Sequence, residues 1–351
     1  MNISIAIGDT NREYVERLSE VLQQYHDLTL SIFTNFDSLQ KALEQNRFDI
    51  VLFDPDISQE RLTVSAAKLA VCFYYDHCVN LNMYANCAKV LKYQRVSNIY
   101  KDILREYADK AGGAEEFGNR MKTCLIGVYS PVGGAGKTTI ALALASRLKA
   151  MGNQILFVNT EQLESSSIVN RHDEDSMAML IEDTGNENVN FKVKLMAVSK
   201  HGMDDLEYLE GFTRLVDYDA VTGEEITRVF ERIKKESDYQ YVIIDMASHL
   251  DQVNKAVFAL ADQIILVERP GELPVKKVEL FAQQVFVQEH KNKILRIWNF
   301  AESQSVYSNE PEVPVIGKVH HYGNLKLETM VHAINTNGEY AIDTLLNESA
   351  E

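Results

Sequence analysis

Apolar and polar positions along the first 107 residues repeat in blocks that predict a strand, then a helix, then another strand. Short apolar runs are typical of buried strands, and longer stretches between them carry apolar residues at helical spacing. Because strands and helices alternate at this rhythm, residues 1–107 are predicted to form one doubly wound α/β domain with a parallel sheet. The predicted strands are Ile3–Ile7, Leu28–Phe33, Phe48–Asp54, Leu69–Tyr74 and Ala88–Leu91, and the predicted helices are Asp9–Gln24, Phe36–Gln45 and Val96–Tyr107.

A second block of the same kind begins after a glycine-containing stretch. Residues 108–122 carry glycines among charged residues and are predicted to be a linker. From residue 123 to residue 351 the strand and helix patterns alternate again, which predicts a second doubly wound domain. Within it, an edge strand is predicted at Phe191–Val198, and Thr222 with Glu225 predicts a capping box that opens a helix.

A glycine-rich turn connects the first strand of this second domain to the helix that follows. Its glycines allow backbone angles that are closed to other residues, so main-chain N–H groups can approach phosphate oxygens closely. Lys137 supplies a positive charge to the outer phosphates of a nucleotide, and the hydroxyl of Thr138 can complete the coordination of Mg²⁺. The predicted phosphate contacts are Gly133, Gly134, Ala135, Gly136, Lys137, Thr138 and Thr139.

The double glycine directly before Ala-Gly-Lys-Thr resembles the deviant Walker A loop of the MinD/ParA class of ATPases. The resemblance implies that the chain binds ATP and Mg²⁺ and forms a homodimer with nucleotide held between the subunits. In that class a signature lysine stands just before the double glycine and reaches the nucleotide of the partner subunit. Val132 occupies that position here, so ATP hydrolysis is expected to be slow.

Polar side chains at the ends of later strands complete the expected nucleotide site. Asp245 follows an apolar strand, which is the Walker B pattern in which an aspartate holds Mg²⁺ through water. By the resemblance, Asn159 and Glu161 stand where the class carries Asp-x-Asp, and Asn299 matches the residue that reads the adenine base. Glu161 is therefore a catalytic candidate that would orient the attacking water, beside Lys137 on the phosphates. The alternative is that Glu161 is an ordinary surface glutamate.

The first domain resembles a response-regulator receiver. Asp54, at the carboxyl end of the third predicted strand, matches the phosphoacceptor, and Lys92 matches the lysine of the fifth strand. Asp9 matches one member of the acidic pair that holds Mg²⁺, but the other position is Gly8. Because one metal-binding carboxylate is missing, a pseudo-receiver used for docking or dimerisation is favoured over a phosphorylated switch.

A receiver-like domain followed by a deviant ATPase is the layout of the TadZ/CpaE proteins, which place tight-adherence (Flp-type) pilus secretion machines at a cell pole. The resemblance implies nucleotide-dependent dimerisation through the ATPase faces and a localising role for the N-terminal domain. It also implies protein partners that belong to a pilus or secretion machine.

Three other functions compete with this one: chromosome partitioning, MinD-like membrane cycling and a scaffold that keeps ATP bound. The formal net charge of −16 opposes strong nucleic-acid binding and therefore chromosome partitioning, although the pairs Lys234–Lys235 and Lys276–Lys277 leave a local basic patch open. MinD-like membrane cycling needs an amphipathic basic tail, whereas residues 341–351 are acidic, so no direct membrane anchor is expected. A scaffold that keeps ATP without hydrolysing it is favoured by Val132 and Asn159.

The location of the protein in the cell is predicted from two sequence patterns. The start lacks the basic flank and long apolar region of a secretion signal, and no run of about 18 apolar residues is present. A cytoplasmic protein is expected, concentrated at a pole or at the inner membrane face through its partners.

Overall fold

The computed structural model of the chain describes residues 3–23, 25, 28–64, 67–76, 78–110, 123–162, 176–185, 189–212, 214–309, 312–323 and 325–340. The chain divides into two compact units, one from Met1–Glu115 with Asn186–Ala197 and the other from Glu116–Gly185 with Val198–Glu351. Residues 111–122 of the predicted linker and the acidic end at 341–351 lie outside the described residues.

The first unit is a five-stranded sheet with helices on both faces. Its strands are β1 (Ile3–Gly8), β2 (Leu28–Phe33), β3 (Ile50–Phe53), β4 (Leu69–Tyr74) and β5 (Ala88–Leu91), and its first three helices are α1 (Arg12–Leu22), α2 (Phe36–Gln45) and α3 (Val96–Lys110). The strand order is β2-β1-β3-β4-β5, and neighbouring strands are parallel. The side chains of Asn11 and Asn35 accept backbone hydrogen bonds at the starts of α1 and α2, which explains where these helices begin.

Apolar side chains on the two faces of this sheet form two separate cores. On one face, Ile7 of β1 belongs to a cluster with Leu18 of α1 and Ile103 of α3. On the other face, Ala6 belongs to a cluster with Leu39 of α2. Because successive residues of a strand point to opposite faces, β1 contributes to both cores and lies inside the doubly wound fold.

The second unit has an eight-stranded sheet at its centre. Its strands are β6 (Cys124–Tyr129), β7 (Ile155–Asn159), β8 (Lys200–His201), β9 (Glu207–Leu209), β10 (Tyr241–Asp245), β11 (Gln263–Glu268), β12 (Ile294–Ala301) and β13 (Val315–His320). They are arranged β13-β12-β11-β6-β10-β7-β9-β8, with an antiparallel pair β8–β9 at one edge and parallel pairs between the other described strands. The prediction of two doubly wound α/β domains is confirmed, with an antiparallel edge added to the second.

The remaining helices of the chain are α4 (Lys137–Ala150), α5 (Ser176–Asp183), α6 (Phe191–Val198), α7 (Leu215–Ala220), α8 (Gly223–Glu236), α9 (Gln252–Leu260), α10 (Glu272–Ala282), α11 (Val285–Glu289) and α12 (Leu327–Asn337). The predicted capping box is confirmed at the start of α8. Glu225 N–H donates to the hydroxyl of Thr222, and the Glu225 carboxylate accepts from the backbone of Thr222.

The segment Phe191–Val198 is a helix, so the prediction of an edge strand there was wrong. Val189, Val193 and Ala197, spaced four residues apart, lie in the same apolar cluster as the helix α3. Asn190 N–H donates to the carbonyl of Ala108 at 3.1 Å. Residues spaced by four share one face of a helix, and packing of that face selected helix over strand. A segment that follows the nucleotide loop in sequence thus completes the core of the first unit.

Strand β6 lies between β10 and β11, and the chain builds the sheet outward on both sides of it. The residues of β6 are buried along its whole length. The carboxyl ends of β6 and its neighbours therefore meet at a topological switch point, the place where open α/β sheets bind ligands.

No helix among the described residues has both the length and the apolar character needed to cross a membrane.

Candidate functional site

The loop between β6 and α4 has the backbone shape of a phosphate cradle. Gly134 and Gly136 adopt φ angles of 66° and 90°, in the left-handed region that favours glycine. A Cβ atom at Gly136 would lie 2.2 Å from the Nδ2 of Asn299, whereas no heavy atom lies within 4 Å of a Cβ placed on Gly133. The loop is thus closed against the protein at Gly136 and open at Gly133, as a ligand cradle requires.

Lys137 begins α4 and is 6% exposed. Its Nζ donates to the hydroxyl of Ser248 at 2.8 Å and lies 3.8 Å from a carboxylate oxygen of Glu161. A neutral hydroxyl and one carboxylate at the limit of ion-pair distance hold an ammonium group less strongly than phosphate oxygens do. Ser248 follows β10 and was not predicted from the sequence, because no motif in its surroundings marks it.

Thr138 and Asp245 meet where the ends of α4 and β10 converge. The hydroxyl of Thr138 donates to Oδ2 of Asp245 at 2.6 Å, and the Asp245 side chain is buried. The backbone N–H of Thr160 donates to the Asp245 carbonyl at 2.9 Å, which holds the end of β10 beside the end of β7. A hydroxyl and a carboxylate supply oxygen ligands of the kind Mg²⁺ prefers, so these residues fit the predicted ion.

Asn159 lies directly beside Asp245, because the two residues are register partners in β7 and β10. Its Oδ1 accepts a hydrogen bond from the backbone N–H of Glu161 at 2.7 Å. Its buried Nδ2 has no hydrogen-bond partner among the described residues. The amide oxygen of Asn159 therefore holds the backbone of Glu161. The amide nitrogen adds a hydrogen-bond donor to the site, whereas a carboxylate at this position would offer only acceptors.

Asn299 at the end of β12 contacts the loop itself. Its Nδ2 donates to the carbonyl of Ala135 at 2.7 Å, and its Oδ1 accepts from the backbone N–H of Phe300 at 2.9 Å. Tyr307 donates to the Asn299 carbonyl at 2.9 Å. In this arrangement Asn299 braces the nucleotide loop, and its predicted contact with adenine stays a prediction.

A buried network behind the site anchors the segment that follows β12. The Glu268 carboxylate accepts from the hydroxyl of Ser308 at 2.8 Å, and the Arg296 guanidinium lies 3.4 Å from the same carboxylate. Arg296 also donates to the carbonyl of Val313 at 3.0 Å. Burial raises the pKa of Glu268 although Ser308 and Arg296 act to lower it. The only sequence signal for this network is that ionisable residues interrupt two apolar strands.

Val132, at the position of the signature lysine, is 7% exposed. Its backbone N–H donates to the hydroxyl of Ser130 at 3.2 Å. An apolar side chain buried at the base of the loop has neither the charge nor the reach to contact a second nucleotide.

The first unit contains a cluster of its own, formed by the three residues that the receiver resemblance singles out. Lys92 forms ion pairs with both Asp54 and Asp9, the latter at 2.7 Å, and all three side chains are buried. Burial alone would lower the pKa of Lys92, but the two carboxylates outweigh it and the pKa is raised. Burial raises the pKa of Asp9, although the hydrogen bond and the charge of Lys92 act to lower it.

Tyrosine side chains surround this ion cluster. Tyr75 donates to Asp54 at 3.2 Å and to Asp56 at 2.9 Å, and Tyr14 donates to the carbonyl of Lys92 at 2.7 Å. The Lys92 ammonium lies within about 6 Å of the ring centres of Tyr14, Tyr75 and Tyr93, at cation–π distance. Burial raises the pKa of Tyr14 and of Tyr75, so their hydroxyls stay protonated donors.

The position of the missing carboxylate is physically filled. A Cβ atom on Gly8 would lie 2.3 Å from Cδ2 of Leu39 and 3.2 Å from Cδ1 of Ile57. Since Leu39 is a buried core residue of α2, the first unit has no room for a second acidic side chain beside Asp9. Asp54 also accepts from the backbone N–H of Asp56 at 2.8 Å, so both of its oxygens are engaged.

The two units together define a class of protein: a receiver-fold domain followed by a doubly wound P-loop domain with a phosphate loop at its switch point. Comparison with protein families gives the same division. The family described as "TadZ-like, receiver domain" matches residues 1–108, and the family described as "AAA domain" matches residues 123–297. Residues 1–108 accordingly belong to the TadZ-like receiver family and residues 123–297 to the AAA family, and the two-part organisation expected from the TadZ/CpaE resemblance is confirmed.

One relative matches part of this chain. The septum site-determining protein MinD of Bacillus subtilis (strain 168) is 30% identical over 144 residues, which are 41% of this chain and 52% of that protein. The chain therefore spans about half the length of that relative.

Similar solved structures include three proteins, two of which hold a nucleotide and magnesium. The septum site-determining protein MinD complexed with Mg-ADP from Pyrococcus horikoshii OT3 is 20% identical, covers 56% of this chain and 81% of its own, and gives a TM-score of 0.44. A ParA family ATPase from Chlorobium tepidum TLS is 16% identical, with coverages of 60% and 89% and a TM-score of 0.47. A cobyrinic acid a,c-diamide synthase from Mycobacterium smegmatis, with an ATP analogue and magnesium, is 16% identical, with coverages of 61% and 93% and a TM-score of 0.47.

Proposed function

We propose that the protein is an ATP- and Mg²⁺-binding, homodimeric P-loop ATPase that organises a Flp-type tight-adherence pilus secretion machine. The observation that carries the proposal is the open glycine-rich loop. Lys137 contacts a hydroxyl at 2.8 Å and a carboxylate only at 3.8 Å, and Thr138 donates to Asp245. The same chain has a TadZ-like receiver domain. The loop supports nucleotide binding, and the receiver match supports the role at a pilus machine.

Each residue of the loop region has a defined task in this function. Lys137 and the backbone N–H groups of Gly133–Thr139 bind the phosphates, and Thr138 and Asp245 hold Mg²⁺. When bound, this ion offsets the negative charge of the phosphates. Glu161, on the Lys137 side of the site, orients the attacking water.

Slow turnover follows from two substitutions within the loop region. Val132 brings no positive charge, so the partner subunit receives no help from this position. Asn159 is neutral and cannot accept a proton from water. The same two residues favour the second candidate function, a scaffold that keeps ATP without hydrolysing it.

The receiver domain serves in docking or dimerisation rather than as a phosphorylated switch. Lys92, Tyr75 and the backbone N–H of Asp56 occupy both oxygens of Asp54, and Leu39 fills the space of a second metal-binding carboxylate. Acetyl phosphate and beryllofluoride are expected to leave Asp54 unmodified, as read by mass spectrometry of the intact chain. Stoichiometric labelling of Asp54 would overturn this assignment.

In the cell, we expect a cytoplasmic protein that gathers at a pole through protein partners, with no strong binding to nucleic acid and no direct membrane anchor. A fluorescent fusion should form a polar focus in cells that assemble the pilus machine. Uniform fluorescence in those cells would contradict the localising role. Binding of random duplex DNA at physiological salt would instead favour a ParA-like partitioning function.

The first test of the ATPase is analytical ultracentrifugation of the full chain without nucleotide, with ADP and with ATP plus Mg²⁺, with phosphate release followed in the same samples. ATP should raise the mass to that of a dimer, and Lys137→Ala should abolish this change. Lys276→Ala, which removes an equal charge from the exposed surface of α10, is the matched control. A wild-type chain that fails to bind ATP contradicts the proposal, and a chain that binds ATP with no change of mass favours the scaffold.

A further inference from the structure

Arg269 lies immediately after β11, beside the phosphate loop. Strands β6 and β11 are parallel neighbours, with Leu266 opposite Tyr129. Arg269 follows Leu266 by three residues, and Val132 follows Tyr129 by three residues. The arginine thus leaves the sheet at the same edge as the valine that occupies the signature-lysine position, one strand to the side.

The guanidinium group is held on the rim of the loop. Its Nη1 lies 3.4 Å from the carbonyl oxygen of Gly134 and 3.6 Å from the position of a Cβ on that glycine. The guanidinium carbon lies 5.6 Å from the ring centre of Phe300, whose backbone has a φ of 54°. The cation–π contact with the ring and the contact with Gly134 place the guanidinium next to the left-handed turn of the loop.

Within the part of the chain that the structure describes, no carboxylate neutralises the positive charge of Arg269. No carboxylate lies within ion-pair distance of it among the described residues, and its buried Nε has no hydrogen-bond partner there. The neighbouring Glu268 is buried and directs both oxygens to Ser308 and Arg296. In a chain with a net charge of −16, acidic partners are abundant, so a half-buried arginine without one indicates a place for an anionic ligand.

We infer that Arg269 binds nucleotide phosphate and supplies, within one chain, a second positive charge beside Lys137 that the buried Val132 does not provide. The inference rests on the proposed nucleotide function. A guanidinium presents several N–H donors in one plane, an arrangement that matches phosphate oxygens. The Gly134 carbonyl accepts from only one of these groups, so the others can donate to a phosphate. The site takes the phosphate chain of a nucleotide, not its base.

The test measures affinity for a fluorescent ATP analogue and its displacement by ADP and by inorganic tripolyphosphate. Two variants are compared with wild type: Arg269→Ala and Arg269→Gln, the second of which keeps an N–H donor for the Gly134 carbonyl without the charge. Arg228→Ala removes the same charge from the exposed surface of α8 and is the matched control. Thermal melting without nucleotide shows whether each variant is folded.

Both Arg269 variants should lose about tenfold or more in affinity for ATP, ADP and tripolyphosphate alike, while Arg228→Ala stays within about twofold of wild type. Unchanged affinities in both folded variants overturn the inference. So does a loss for the nucleotides with an unchanged affinity for tripolyphosphate, because that result places Arg269 on the base or ribose. If the wild-type chain binds none of these ligands, or Lys137→Ala binds as well as wild type, it is the proposed nucleotide function that fails.

Discussion

Two buried lysines, Lys92 directly after β5 and Lys137 at the start of α4, have opposite surroundings. Lys92 is held by two carboxylates and surrounded by tyrosine rings, whereas Lys137 has one hydroxyl at 2.8 Å and one carboxylate at 3.8 Å. The first ammonium is already neutralised by its own protein. The second ammonium has only a distant carboxylate, so the phosphate oxygens of a bound anion can contact it more closely. The same type of residue is thus enclosed by carboxylates in one unit, whereas in the other it has the surroundings that the proposed phosphate binding needs.

The largest expected effect comes from removing each lysine charge in turn. Lys92→Met leaves Asp9 and Asp54 buried without a cation, so the first unit should lose about 3–5 kcal/mol of unfolding free energy. Lys137→Met should change the stability of the second unit by no more than about 1 kcal/mol while abolishing nucleotide binding. The single tryptophan, Trp298, reports unfolding of the second unit by fluorescence, and hydrogen exchange of β1 and β3 reports the first.

If Lys92→Met leaves hydrogen exchange in β1 and β3 unchanged, the ion cluster does not stabilise the first unit, and the structural role given to Lys92 is wrong. If Lys137→Met destabilises the second unit as strongly as Lys92→Met does the first, the two lysines are equivalent.

A second prediction concerns α6, which completes the core of the first unit. Val193 is fully buried in that core, so Val193→Asp should destabilise the first unit by about 3 kcal/mol or more, because an unpaired charge is placed among apolar side chains. Hydrogen exchange in β1–β5 should accelerate. Val216→Asp, at a position that is 73% exposed, should leave the exchange unchanged. Equal, small effects of both variants would show that α6 contributes little to this core.

A smaller effect is expected at the position of the missing carboxylate. Gly8→Ala places a methyl group 2.3 Å from Cδ2 of Leu39, and overpacking of this kind costs about 1–3 kcal/mol. Gly185→Ala, where no heavy atom lies within 4 Å of the added Cβ, is the control in urea denaturation. Adding Leu39→Ala should remove most of the penalty of Gly8→Ala in a double-mutant cycle, and full additivity of the two changes would rule out the steric explanation.

The smallest effect is a pH dependence of the first unit. The pKa of Asp9 is raised above its ordinary value of 3.8 by burial, so the folded unit binds the proton more tightly than the unfolded chain does. The stability contributed by this group is fully present below pH 3.8 and is lost as the pH rises through the folded-state pKa. The difference in unfolding free energy between wild type and Asp9→Asn should therefore shift against wild type as the pH rises, and a shift in the opposite direction contradicts the assignment.

Much of the fold could be predicted from pattern alone. The bounds of β2, α2, β4 and β5 coincide with the predicted ranges, because turn residues and N-caps interrupt the apolar runs at those points. Phe191–Val198 was assigned wrongly because Lys192 and Lys194 alternate with apolar residues as they would in a strand. Its helical face became visible only when Val189 and Val193 were seen to share one core.

The glycine-rich loop between β6 and α4 could be located from the sequence because its glycines, lysine and threonine are adjacent in the chain. The residues that surround it could not be, since Ser248, Arg269 and Asn299 come from three different strand ends. Each of them reaches the loop only because β10 and β11 are the two neighbours of β6 in the sheet and β12 lies next to β11. Proximity of this kind is a property of strand order, which no local pattern contains.

The sequence by itself determined the strand–helix rhythm, the phosphate loop and the acid and lysine positions of the receiver, because local backbone preferences and apolar spacing act over a few residues. Only the tertiary structure decided that Lys92 is paired with two carboxylates, whereas Lys137 has one carboxylate at 3.8 Å. It also decided that Leu39 excludes a second carboxylate beside Asp9 and that Arg269 stands next to Gly134. The physical reason is that charge balance and steric exclusion depend on which distant residues the sheets bring within a few ångströms of one another.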